Sequence, residues 1–114
     1  MSFSRTLLLT AMVLTSRVVA FGEEGAAGDV EFFEKRIRPV LIRHCYECHS
    51  AASSEVKGGL RLDSRDFIRK GGESGPAVVP GSSKKSILLE AIRHESFEMP
   101  PDKRLSDKVI SDFE

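Results

Sequence analysis

The chain has 114 residues, enough for one small domain and too few for two. Its 17 Lys and Arg balance 17 Asp and Glu, which leaves no strongly basic character of the kind that marks a nucleic-acid binder.

Residues 1–20 read as an export signal. Arg5 gives a short positive start, Thr6 to Thr15 is apolar, and Val18 and Ala20 supply small residues for a cut after Ala20. The apolar run is too short to span a bilayer unbroken, and Arg17 interrupts its end. No cysteine follows it, so a lipoprotein anchor is not indicated. The competing reading is an uncleaved anchoring helix, because Arg17 is awkward in a cleavage region. Removal of residues 1–20, which hold Arg5 and Arg17 and no acid, leaves 15 basic and 17 acidic side chains, a net of −2. The expected location is exported, periplasmic or extracytoplasmic, with no transmembrane helix in the mature chain.

Residues 21–28 are rich in Gly, Ala and Glu and read as a flexible mature N-terminus. A helical pattern follows from about Val30 to Cys45, with Asp29 as a plausible N-cap. Phe33, Ile37, Leu41 and Cys45 recur every four residues and share one face. Pro39 predicts a kink or a split into two pieces, with the proline in the first turn of the second. The end of this pattern delivers Cys45-Tyr46-Glu47-Cys48-His49.

C-x-x-C-H is the attachment signature of a c-type haem. Two thiols three positions apart each form a thioether with a haem vinyl group. The next residue places an imidazole under the iron. Cys45 and Cys48 are the only cysteines in the chain. A zinc site could use them with two of His44, His49 and His94, but a second well-spaced ligand pair is lacking. A thioredoxin-like dithiol needs a βαβ frame that this helical sequence lacks. A Cys45–Cys48 disulfide would close a short loop and add little stability.

Residues 50–57 and Gly58-Gly59 read as a loop. Leu60-Arg61-Leu62 is too short to name a strand. Ser64 to Lys70 predicts a short helix with Phe67 and Ile68 turned inward. Gly71 to Pro76 is a second loop, which lacks the G-K-[ST] ending of a phosphate loop. A helix from about Lys84 to His94, capped by Ser82 or Ser83, presents Ile87, Leu88, Ala91 and Ile92. Pro100-Pro101 forbids its continuation. A last helix begins after Ser106, with Leu105 and Ile110 as a staple and Val109, Ile110 and Phe113 inward. It has barely started at Glu114, so the expectation is a fragment of a longer protein. The domain division is a signal over 1–20, a flexible segment over 21–28 and one domain over 29–114, truncated in its last helix.

Met99 is the one methionine beyond residue 20 and stands directly before Pro100-Pro101. A thioether is a soft ligand that favours ferrous iron and raises the potential. The proposed iron ligands are therefore His49 and Met99, with His94 as the rival distal ligand. The competing role for Met99 is a core filler. His44 directly precedes Cys45 and suits a solvated helix-end cation. Lys57, Arg61 and Arg65 are candidate partners for a haem propionate.

The chain resembles the planctomycete-type cytochrome c domain from about Phe32 onward. The resemblance is carried by Arg38-Pro39-Val40-Leu41, Cys45-Tyr46-Glu47-Cys48-His49, Gly58-Gly59-Leu60-Arg61-Leu62-Asp63, Gly71-Gly72-Glu73-Ser74-Gly75-Pro76, Pro80-Gly81, Ser86-Ile87-Leu88 and Met99-Pro100-Pro101. It implies an all-α, cytochrome c-like small helical domain wrapped around one covalent haem, with the N- and C-terminal helices crossing beside it. It carries haem attachment onto Cys45 and Cys48, the proximal role onto His49 and the distal role onto Met99. The implied activity is electron transfer without substrate chemistry. The implied partner is a redox protein or an attached domain of a longer parent chain. In that family a final helix normally continues into a tryptophan-containing stretch, and this sequence has no tryptophan. The competing functions are a haem enzyme or sensor with an open distal site, and a zinc-stabilised interaction module.

Overall fold

A computed structural model describes residues 23–114. The export signal expected over 1–20 lies outside the described residues. Five α-helices follow in chain order: α1 (Glu23–Phe32), α2 (Arg38–His44), α3 (Arg65–Lys70), α4 (Ile87–Arg93) and α5 (Asp107–Phe113). Among the described residues the only sheet-like pairing is an isolated bridge between Gly72 and Gly75, so the fold is all-α.

α1 starts earlier than its sequence suggests. Residues 23–28, expected to be flexible, are helical, and Asp29 lies inside the helix instead of capping it. Ala26 and Ala27 carry high helix propensity, and no neighbour crowds Gly25 or Gly28. Local propensity alone sets this segment, since residues 25–34 are all exposed.

Pro39 divides the predicted helix by widening it. Phe33–Ile37 form a π turn, in which Arg38 N–H donates to the Phe33 carbonyl. A proline lacks its own N–H and crowds the carbonyl four residues back. The wide turn absorbs both problems just before α2. It also breaks the four-residue face: Leu41 is 2 % exposed while Phe33 is 36 % exposed.

Ser64, expected as the first residue of the short helix, instead caps α3, its Oγ accepting from Phe67 N–H at 3.3 Å. α4 departs from the reading. A 3-10 turn over Ser83–Lys85 precedes it, and Ser86 stands at its N-cap without making the cap bond. The buried Ser86 hydroxyl accepts from Val79 N–H at 3.0 Å and donates to the Ser82 carbonyl at 2.8 Å. Neither Ser82 nor Ser83 caps α4. Leu89, unassigned in the sequence reading, is buried beside Ala91 and Ile92. Ser106 caps α5 through Val109 N–H at 3.4 Å.

Two apolar clusters form the core. Leu89, Ile92, Leu105 and Ile110 make one, which includes both members of the expected staple. Leu41, Leu62 and Ala77 make the other. Leu88 and Phe113 pack against both and join them. α5 lies against α4 and the π turn. There Arg36 donates to both carboxylate oxygens of Asp112, at 2.8 and 3.0 Å. The early and late helical segments therefore meet.

Candidate functional site

The end of α2 sets the first group of site residues. Cys45 N–H and Tyr46 N–H both donate to the Leu41 carbonyl at 2.9 Å. The chain then tightens into a turn over residues 45–48, and His49 N–H donates to the Cys45 carbonyl at 2.9 Å. Cys45, Cys48 and His49 are thereby gathered within one turn, all half-buried.

The loop after His49 returns to it. Lys57 N–H donates to the Cys48 carbonyl at 3.0 Å, and Leu62 N–H to the His49 carbonyl at 2.8 Å. Between these ties the Leu60 carbonyl lies 3.1 Å from His49 Nδ1. A carbonyl can only accept, so Nδ1 carries the proton in this bond. Nε2 is then the basic nitrogen left for a metal, the arrangement by which an outer partner fixes a ligand histidine.

Two glycine loops build the adjoining wall. A Cβ on Gly72 would meet the Gly58 carbonyl oxygen at 2.3 Å, and one on Gly71 would meet the Gly75 carbonyl oxygen at 1.8 Å. Gly71 also has φ +74°. Glu73 N–H donates to the Gly58 carbonyl at 2.9 Å and locks the loops together.

These elements enclose a cavity of about 400 Å³, within the roughly 300–1,000 Å³ typical of small-molecule and cofactor sites. Cys45, Cys48, His49 and Met99 all line it. Leu60, Leu88 and Ile92 supply apolar wall, and Pro100-Pro101 closes the Met99 side of the lining. The Met99 loop is tied to α4, because Met99 N–H donates to the Ala91 carbonyl at 3.1 Å. His94, the rival ligand, is not among the lining residues. It ends α4 in a left-handed conformation with φ 61° and ψ 39°, and its Nε2 is buried without a hydrogen-bond partner.

Of the three propionate candidates only Lys57 lines the cavity. Arg61 is committed elsewhere: it pairs with Asp63 at 3.0 Å and lies 3.9 Å above the Phe67 ring. Phe97, Gly72, Glu73 and Ser74 line the cavity without having been read as site residues. Their loops have no periodic pattern to mark an inward side. The Leu60 carbonyl was equally invisible, being main chain.

The chemistry of the donor set fits a covalently held haem. Two free thiols stand beside an imidazole with its Nε2 unengaged, and a thioether shares their apolar cavity. Burial and the neighbouring Cys48 push the Cys45 thiol up to about 11, so it stays a protonated thiol at neutral pH. Among the described residues no three His, Cys, Asp or Glu side chains converge as a metal site. Among the same residues no helix is long and apolar enough to cross a membrane.

No curated protein and no solved structure matches the chain. A family model described as planctomycete cytochrome C matches residues 45–103, just over half of the chain.

Proposed function

Because this chain belongs to the planctomycete cytochrome C family, we propose that it is an electron carrier with one covalent haem, its iron ligated by His49 and Met99. The observation that carries the reading is the shared cavity. Cys45, Cys48, His49 and Met99 line one apolar space, while the Leu60 carbonyl holds His49 Nδ1.

Bound there, the haem supplies an iron that alternates between ferrous and ferric states. The chain does the rest. Cys45 and Cys48 provide the thioether sulfurs. The Leu60 carbonyl fixes the ring of His49 by accepting a hydrogen bond from Nδ1–H, so that Nε2 would be the nitrogen offered to the iron. Met99 offers a sulfur that favours the ferrous state and raises the potential. The apolar walls exclude water, so little solvent must reorganise when charge changes. The carrier acts without substrate chemistry of its own. Its partner is a redox protein or a further domain of a longer parent chain, and it works outside the cytoplasm, as the pattern of residues 1–20 suggests.

One observation favours the second reading, a sensor or enzyme with an open distal site: Met99 is 37 % exposed. The test is to express the chain with a c-type maturation system and record the pyridine haemochrome spectrum after denaturation and solvent extraction. Haem that stays with the polypeptide, with the α-band of two thioether links, supports covalent attachment. Colourless protein holding one zinc per chain overturns it. Carbon monoxide binding by the native ferrous protein would move the assignment to the open site.

A further inference from the structure

A second cavity, of about 650 Å³, opens along α2 and the start of α5. Pro39, Val40, Ile42, Leu105 and Val109 give it apolar walls. Ile42 is 52 % exposed, although its neighbour Leu41 is buried at 2 %. An isolated exposed isoleucine is ordinary, but one set in an apolar groove between two helices is a contact surface.

The charges around it have one sign left over. Arg38, Arg43, His44 and Glu34 complete the lining. Arg38 is neutralised by Glu34 at 2.9 Å. Of the acids on α5, Asp112 pairs with Arg36 and Asp107 with Arg104, while Glu47, beyond the end of α2, is in no ion pair among the described residues. Arg43 is in no ion pair among the described residues, and neither is Lys108, which precedes Val109 on α5. Arg43 and Lys108 thus give the groove a positive rim. The groove also adjoins the first cavity. His44 lines both, and it directly precedes Cys45.

We propose that this groove is the docking surface for an acidic redox protein. The partner places an apolar side chain against Ile42 and Val109 and sets carboxylates toward Arg43 and Lys108. Its redox centre is thereby brought to the His44–Cys45 edge of the haem cavity. The proposal rests on the electron-carrier reading and adds where the electron crosses and what charge the partner bears.

The test uses the haem-loaded protein and reduced flavodoxin as an acidic probe, mixed by stopped flow. Ile42→Asp, Arg43→Glu and Lys108→Glu are each expected to lower the second-order rate about tenfold at low ionic strength, a gap that closes as salt is added. Lys108→Glu is far in sequence from the haem attachment and guards against loss of the site in the α2 variants. Arg69→Glu, an exposed charge change on α3 outside the groove, is expected to stay within about twofold of the parent. Reduction by hydroquinone is expected to be unchanged in all four. Equal slowing by Arg69→Glu, or no slowing by the three groove variants, overturns the proposal. So does a concentration-dependent dimer that Ile42→Asp abolishes, which assigns the groove to a second copy. A chain that takes up no haem, or that hydroquinone cannot reduce, overturns the electron-carrier reading as well. The first of these is distinguished by the missing Soret band, the second by a ferric Soret band that hydroquinone leaves in place.

Discussion

Gly72 shows how strictly single atoms are placed around the proposed haem site. An added methyl would stand 2.3 Å from the Gly58 oxygen and 3.0 Å from Leu60 Cβ. Gly72→Ala is expected to cost roughly 1–3 kcal/mol, as overpacking does. It should also disturb the His49–Leu60 bond, visible as a shifted midpoint potential alongside a lowered urea midpoint. Met99→Ala tests the distal sulfur. The ferric sulfur-to-iron charge-transfer band should vanish and ferrous carbon monoxide binding should appear; an unchanged band would refute the ligand. Asp63 offers a pH test. The Arg61 guanidinium, then the Ala51 N–H, hold its carboxyl below its ordinary 3.8. A depressed carboxyl stabilises the fold above the unfolded value, and that contribution drains away as pH falls through the folded value. Asp63→Asn should therefore lower the urea midpoint at neutral pH, with the gap to the parent closing below about pH 4. The grouping of Cys45, Cys48 and His49 was legible because C-x-x-C-H is contiguous and its chemistry fixes its spacing. The Leu60 carbonyl was not, because every residue has one and only the returning loop selects it.

At the level of elements, sequence periodicity located the helices and missed how they begin. α5 starts at a serine read correctly as its cap, whereas Ser64, read as the first residue of the short helix, stands outside α3 as its cap. α4 begins after a 3-10 turn, and its serine works in another direction. Ser86 is 4 % exposed, and its hydroxyl ties the turn at Val79 and Ser82. Ser86→Ala would strand the half-buried Val79 N–H, whose partner is the Ser86 hydroxyl, at a cost of roughly 1–3 kcal/mol. Ser106→Ala, which loses one exposed cap bond, should cost about 1 kcal/mol or less. Urea denaturation of the two variants checks the order, and the reverse order would count against this account of the turn. The π turn before Pro39 was beyond periodicity. Proline predicts a break, but whether the chain kinks or widens depends on where the preceding carbonyl can go. Here it widens, and the extra residue turns Phe33 away from the buried face.

Over the whole molecule the helices share two small clusters and a cavity. Leu88 belongs to all three: it packs on both clusters and lines the cavity. The meeting of the early and late helices was legible only through the family resemblance, because pairings such as Arg36 with Asp112 have no local sequence signal. The junction made by Leu88 and Phe113 was not legible at all, since both residues read simply as inward-facing apolar positions. A domain this small has little core to spare. Filling the cavity with an apolar cofactor should raise the thermal midpoint well above that of the haem-free chain, as scanning calorimetry of the two forms would show. The position of Phe113 extends this effect. It sits on α5 and leans on the same Leu88 that walls the cavity, so an empty cavity loosens the last helix as well as the site. A haem-free chain would then offer that helix to proteases, while a loaded one would keep it folded away. Failed maturation would be converted into degradation, and α5 would serve as the quality check on the cofactor.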